Sequence, residues 1–457
     1  MTKGFLKTLA YLVFPFAILS CGKAEKNTPL TEPVPTSFDG GLEGDWFNSS
    51  SPEGGAGINE AYEALKNLAP VQEIVVAIID SGLDIYHEDL KGSVWVNPKE
   101  IPNNGIDDSG NGYVDDVNGW NYLVDKDGNN IVAETAEVTR EMRRLSQLSE
   151  TQSLSDEDRV YFEEVKAGYT KYSVHQDPKR HYDLKWQQRG DDLSNFTPIS
   201  ATNPAYGNGD VQDRNGHGTA VAGIIAANRS NDIGIKGVAQ NIKIMALRVV
   251  PNGDEQDKDI YHAVRYATDH GAHIINMSFV KEFSPYKDKV QEAFQYARDH
   301  GVLLVHAAGN SGKNIDQSHV YPSRLAYQGN AFLDSWLEVG ASSKQKNPGR
   351  DPFSSFSKVN VDLFAPGQEI LSCTPNNSYA AKTGTSMAAP VVSGVAALIM
   401  AYDPELSASK IREIILQSVR TTRTDGGPLA LKEMSSSGGV VDASALVKVH
   451  FALNLKK

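Results

Sequence analysis

The chain has 457 residues, 40% of them apolar, which supplies a sizeable core for one large α/β domain or for two or three average ones. Its 57 acidic and 44 basic side chains leave a formal charge of −13. That balance argues against a nucleic-acid surface and suits a soluble protein able to bind cations.

Residues 1–20 read as a signal peptide: Lys3 and Lys7 precede an apolar stretch, Leu9 to Leu19, that Pro15 interrupts. The stretch is too short for a comfortable membrane span. It ends in Ile18-Leu19-Ser20-Cys21-Gly22, which resembles a bacterial lipobox, where the cysteine becomes the lipidated first residue. The alternative is a plain secretory signal with an incidental cysteine. With Cys21 lipidated only Cys373 remains, so no intramolecular disulfide can form. Residues 21–57 are rich in Pro, Gly, Ser, Thr and Asn and read as a flexible tether. The expected location is extracytoplasmic, anchored by lipid to a bacterial membrane.

Asn59 to Leu68 has a helical pattern. Glu73 to Asp80 is a continuous β-branched run ending in Asp80-Ser81-Gly82, as expected of a central parallel strand with a polar residue at its carboxyl end. Residues 97–210 stand out as an insertion. Within it, Asp107 to Asp116 places side-chain oxygens at alternate positions around a glycine, in the manner of a calcium loop. Asp107, Asn111 and Asp115 are the candidate ligands, but Asn118 stands where such a loop ends in glutamate, and an Asx-rich turn without metal remains the alternative. Ala133 to Leu148 and Asp156 to Ser173 are charged helical patterns, expected to be solvated rather than part of the core.

His217 heads a small-residue helix in Asn215-Gly216-His217-Gly218-Thr219. Strands are expected at 241–250, 272–279, 301–307, 337–341 and 361–364, and helices at 257–270, 285–300 and 407–417. This alternation predicts an α/β fold, a doubly wound, mostly parallel sheet with helices on both faces, spanning residues 58–450, with 451–457 as a tail. The apolar run Val391 to Met400 follows Gly384-Thr385-Ser386-Met387-Ala388-Ala389-Pro390 and reads as a buried helix that starts at or beside Ser386. A serine there sits at the positive helix end, with its own N–H unpaired. Taken alone, Ser386 would pass for an N-cap.

Asp80 in Ile-Asp-Ser-Gly, His217 in Gly-His-Gly-Thr, Asn310 in Ala-Ala-Gly-Asn and Ser386 in Gly-Thr-Ser-Met-Ala-Ala-Pro together resemble the subtilisin-like serine proteases, in that family's order. The resemblance covers about residues 58–450, with a far longer Asp-to-His interval than the smallest members have. It implies a serine endopeptidase working through an acyl-enzyme, with Ser386 as nucleophile, His217 as base, Asp80 as its orienting partner and Asn310 in the oxyanion hole. It implies that Ser278-Phe279-Val280 and Ala307-Ala308-Gly309 flank an extended peptide or protein substrate. Asn215 would lie near the residue before the cut bond. It also implies no organic cofactor and a structural calcium, with Asp89 and Asn231 at matching places. Three departures stand out. Ala220 replaces a frequent second histidine, Val280 replaces a usual glycine in the specificity wall, and no prodomain is evident. A catalytically silent binding or scaffold lipoprotein on the same fold, or acyl transfer such as peptide cyclisation, are the competing functions; a complete triad argues against the first.

Overall fold

The central strand β1 (Ile74–Asp80) is apolar on both sides because both its faces are covered. Ile74, Val76 and Ile78 pack in one core cluster, while Ala77 and Ile79 pack in another on the opposite face. The computed structural model describes residues 45–50, 54–175, 189, 191–317, 320–324, 333–345, 348–421 and 431–454. Cys21, the signal peptide and most of the expected tether lie outside them.

In chain order the elements are α1 (Ile58–Leu65), β1, β2 (Gly119–Asn121), α2 (Glu137–Thr151), α3 (Asp156–His175), α4 (His217–Ala226), β3 (Ile242–Arg248), α5 (Asp257–Asp269), β4 (Ile274–Met277), α6 (Lys287–Asp299), β5 (Leu303–Ala307), β6 (Trp336–Ser342), β7 (Leu363–Pro366), β8 (Ile370–Thr374), β9 (Ser378–Lys382), α7 (Thr385–Tyr402), α8 (Ala408–Gln417) and α9 (Ala443–Asn454). Seven strands form one parallel sheet in the order β2-β3-β1-β4-β5-β6-β7. The chain leaves β1 for β3 on one side and returns to β4 on the other. The carboxyl end of β1 therefore opens at the point where strand order reverses, the place where such sheets hold their sites. Helices α4 and α7 cover one face, and α5 and α6 the other. This is the doubly wound architecture expected.

Helix α7 is long and apolar enough to pass for a membrane span, but it is buried within the fold as a core helix. Its small residues permit that: a Cβ on Gly394 would lie 2.5 Å from Val238 Cβ. Polar Asn376 to Lys382, not expected to form a strand, contributes β9 of a hairpin with β8, reversed through left-handed Asn376 and Asn377.

Three boundaries differ from expectation. The folded region begins before residue 58, because Trp46 and Phe47 are buried and Asn48 donates to the Lys236 carbonyl at 2.7 Å. Composition hid these two aromatics inside a polar segment. At the other end α9 continues past residue 450 to Asn454. The insertion is the larger correction: it adds β2 to the sheet edge, and Glu137, Arg140 and Glu141 of α2 are buried rather than solvated. Glu137 pairs with Arg140 and Glu141 with Arg144 within the helix, but Glu137 also meets Lys281, a distant partner that helical periodicity cannot reveal.

Candidate active site

Asp80 ends β1, and the turn after it abuts the start of α4. A Cβ on Gly218 would lie 2.1 Å from the Gly82 carbonyl oxygen, so only glycine allows this approach. His217 is thereby carried onto Asp80, with Nδ1 2.7 Å from Asp80 Oδ1. The same oxygen accepts from the Ser81 N–H at 2.7 Å, which fixes the carboxylate plane. Asp80 is buried, while His217 keeps one side toward solvent.

Asp213 was not singled out in the sequence, yet it builds the loop that presents His217. It accepts from Asn215 N–H (3.0 Å), Gly216 N–H (2.9 Å), Ser81 Oγ (2.9 Å), Thr219 N–H (2.9 Å) and Thr219 Oγ1 (2.7 Å). An acid a few residues before a helix start is the available signal, since such carboxylates satisfy orphan N–H groups. Asn215 is exposed, and its Oδ1 accepts from the His217 N–H at 2.9 Å.

Ser386 is the second residue of α7. Pro390 lies four residues on and has no N–H, so the helix leaves the Ser386 carbonyl without its usual donor. Ser278 Oγ donates to it instead, at 3.0 Å. Asn276 completes the tie: its Nδ2 donates to Ser278 Oγ (3.0 Å), and its Oδ1 accepts from Ser393 Oγ (2.8 Å). The first turns of α7 are thus pinned to β4.

Asn310 is oriented by its neighbour in α7. Its Oδ1 accepts from the Thr385 N–H at 2.9 Å and from Thr385 Oγ1 at 3.0 Å. The other half of the amide, Nδ2, faces the space beside Gly384. A Cβ built there would lie 3.4 Å from Asn310 Nδ2 and 3.6 Å from the Ser386 backbone nitrogen. Two N–H donors therefore converge on one small volume next to Ser386, at the positive end of α7.

Of the expected substrate wall, Phe279, Ala307 and Ala308 turn their side chains inward. Val280 and Gly309 face each other: a Cβ on Gly309 would sit 3.4 Å from Val280 Cγ2. Behind them His306, buried on β5, lies with Nε2 2.8 Å from the Phe279 carbonyl oxygen and Nδ1 2.9 Å from Glu338 Oε1. The only sequence signal for His306 is a histidine inside an otherwise apolar strand.

Asp89 and Asn231 are brought together. Asp89 Oδ1 accepts from Asn231 Nδ2 and Oδ2 from the Ile235 N–H, each at 2.8 Å. Burial pushes the Asp89 carboxyl up, against those hydrogen bonds. Both Asp89 oxygens thus accept from neutral N–H donors, and the Asn231 oxygen accepts from the Ile233 N–H at 3.3 Å. Asp107, Asn111 and Asp115 are otherwise engaged. Asp107 accepts from the Asn111 and Gly112 N–H groups, Asp115 from those of Asn104 and Gly105, and Asn111 Nδ2 donates to Asp116. No group of three or more His, Cys, Asp or Glu side chains is arranged to hold a metal among the described residues.

A buried carboxylate on an imidazole, a serine at a helix start and two convergent N–H donors define the class of serine-nucleophile hydrolases. The pattern of the Subtilase family matches residues 72–438, and the chain belongs to that family as a serine-type endopeptidase. It is 38% identical to subtilisin DY of Bacillus licheniformis over 204 residues, 44% of this chain and 69% of that one. It is 39% identical to the major intracellular serine protease of Bacillus subtilis over 218 residues, 46% of this chain and 64% of that one. Thermitase of Thermoactinomyces vulgaris is 38% identical over 205 residues, 45% and 67%. Among solved structures, a protease of Pseudoalteromonas arctica shares the fold with a TM-score of 0.53 at 22% identity, over 91% of this chain and 99% of that one.

Proposed function

We propose that the chain hydrolyses peptide bonds through an acyl-enzyme formed on Ser386. The single observation that carries this reading is the convergence of Asn310 Nδ2 and the Ser386 N–H beside Gly384, with the Asn310 amide locked by Thr385. Asp80 accepts from His217 Nδ1–H, which leaves Nε2 as the basic nitrogen. Nε2 takes the Ser386 proton as Oγ attacks the substrate carbonyl, and returns it to the departing amine. The carbonyl oxygen, now an anion, is received by the two convergent N–H donors. Water then repeats the sequence on the acyl-enzyme, with His217 again as base. A fully furnished site supports catalysis over a silent scaffold, and an exposed His217 edge supports water over a protected amine as the acyl acceptor.

The substrate lies extended along 278–280 and 307–309. Calcium bound by Asp89 and Asn231 would stabilise the fold and take no part in the reaction. The N-terminus supports attachment through Cys21 to the outside of a bacterial membrane, where a single acyl chain holds only marginally and multiple acylation is expected. A fluorophosphonate probe tests the nucleophile: it should label the parent at Ser386 and leave Ser386→Ala unlabelled. In the same variant kcat should fall by about 10⁶-fold, the magnitude that subtilisin itself sets, and adding His217→Ala should cost little more. Substantial turnover by Ser386→Ala would overturn the assignment.

A further inference from the structure

The backbone on either side of the site has edges that the fold does not use. Ser278 and Val280 form no backbone hydrogen bonds to the described residues, whereas the Phe279 carbonyl is taken by His306 and both backbone groups of Lys281 pair with Tyr321 at 2.9 Å. A second segment shows the same alternation. The Asn252 N–H donates to the Val132 carbonyl (2.8 Å) and its carbonyl accepts from the Glu134 N–H (3.1 Å), while Gly253 is paired to no described residue. Backbone groups left unpaired at alternate residues are what a peptide strand docks against.

The two segments are joined by one side chain. Lys281 leaves the first segment directly after Val280, and its Nζ reaches the carbonyl of Glu255 on the second, at 2.9 Å. There it also meets Asp257 Oδ1 at 2.6 Å and Glu137 Oε2 at 3.0 Å. Glu137 comes from α2 of the insertion, and Arg140 of the same helix holds it from the other side while donating to the Asp254 and Glu255 carbonyls at 3.0 and 3.2 Å. The Lys281 side chain is 1% exposed. The ammonium is thus fully paired, and its side chain fills the space between the two segments as a bridge.

Ser278 is tied to the Ser386 carbonyl, so in an antiparallel strand the residue before the cut bond runs beside Ser278 and the third residue before it beside Val280. A fourth would arrive at the bridge. We propose that Lys281, locked by Glu137 of the insertion, closes the acyl side of the groove after the third residue. Recognition then extends over three residues before the cut bond and gains nothing from longer peptides. Lys281 and Glu137 are specificity-determining residues, and limiting substrate reach is the insertion's role. This rests on Ser386 as nucleophile.

The test uses acetylated peptide amides with two to six residues before a chromogenic leaving group, identical over the shared positions, on the full chain. The parent should gain in kcat/KM up to the third residue and change less than about twofold beyond it. A gain of about tenfold or more from the fourth or fifth residue overturns the bridge. Lys281→Met with Glu137→Gln removes one charge of each sign and leaves Asp257 its bonds from Ser284 and Tyr286. That pair should gain about fivefold or more from the fourth residue, and a folded pair with an unchanged flat series overturns the bridge as the cause. Should the pair fail to fold, the parent series still decides. A length-dependent series with Ser386 labelled sinks the bridge alone; no cleavage and no labelling sink the nucleophile, and the bridge with it.

Discussion

The polar side chains that tie down the start of α7 are neutral and small: Ser393, Asn276 and Ser278 hydrogen-bond in one series, and Thr385 and Asn310 in another. At the far end of the substrate wall they are charged. Glu137, Arg140, Asp257 and Lys281 meet there, and Glu134, Arg189, Asp191, Lys258 and Asp259 continue the cluster. The neutral network fixes rotamers and turns two N–H donors toward one small volume beside Gly384. The charged one has its cations saturated, because a buried charge is tolerated only when paired. One is built to receive a ligand, the other to exclude one.

The comparison breaks most severely at Glu137. Burial opposes its ionisation, yet the charges of Arg140 and Lys281 hold its carboxyl at about 2. Glu137→Ala strips that partner from two buried cations and should cost about 3–5 kcal/mol of stability, measured by denaturant unfolding. A loss below about 1 kcal/mol would place the cluster among ordinary surface ion pairs. The neutral network should respond in rate instead. Asn310→Leu should lower kcat by about 10²–10³-fold with little change in KM or stability, since the lost donor acts on charge that develops in the reaction. An equal fall in stability would mean that Asn310 is mainly a structural tie.

The two networks were unequally legible beforehand. Asp80, His217, Asn310 and Ser386 each sit in a short run whose neighbours carry the signal, and the sheet followed from strands whose apolar patterns are local. The charged cluster has no such signature. Glu137 and Lys281 are 144 residues apart, and an acidic helix such as α2 has the composition of a solvated one. Asp213 and His306 were missed for a related reason: their partners converge through the fold, not along the chain. Trp46 and Phe47 were lost to averaging over a polar segment.

Val280 lies between the networks and tests the wall they share. Its methyls face Gly309 across the groove, and the valine is stiff at χ1. Small residues such as Ala or Ser should therefore be preferred before the cut bond over Phe or Tyr. Overpacking of about 1–3 kcal/mol shifts that preference by one to two orders of magnitude. Val280→Gly should restore large aromatic residues in a peptide-library profile. Equal acceptance of aromatics by parent and variant would take Val280 out of the pocket.

The smallest expected effect sharpens the contrast from the charged side. Glu255 is the member of that cluster whose carboxyl is not fully satisfied: one oxygen, Oε1, is buried without a partner. Burial pushes its pKa up to about 8, helped by the neighbouring charge of Asp254 and opposed by Lys281 and Arg140. Glu137 and Asp257 add further negative charge around the Lys281 ammonium. The folded chain therefore keeps a proton on Glu255 at neutral pH, whereas the unfolded chain releases it near the ordinary glutamate value of about 4.3. Between those limits the folded state binds more protons. The contribution of Glu255 is thus fully present below the unfolded value and is lost as pH rises through about 8. Glu255→Gln stays neutral throughout and should flatten that decline between pH 5 and 9. Melting curves of parent and variant across that range provide the check. Parallel pH profiles would mean that Glu255 is ionised inside the fold, with the Lys281 and Arg140 charges outweighing its burial.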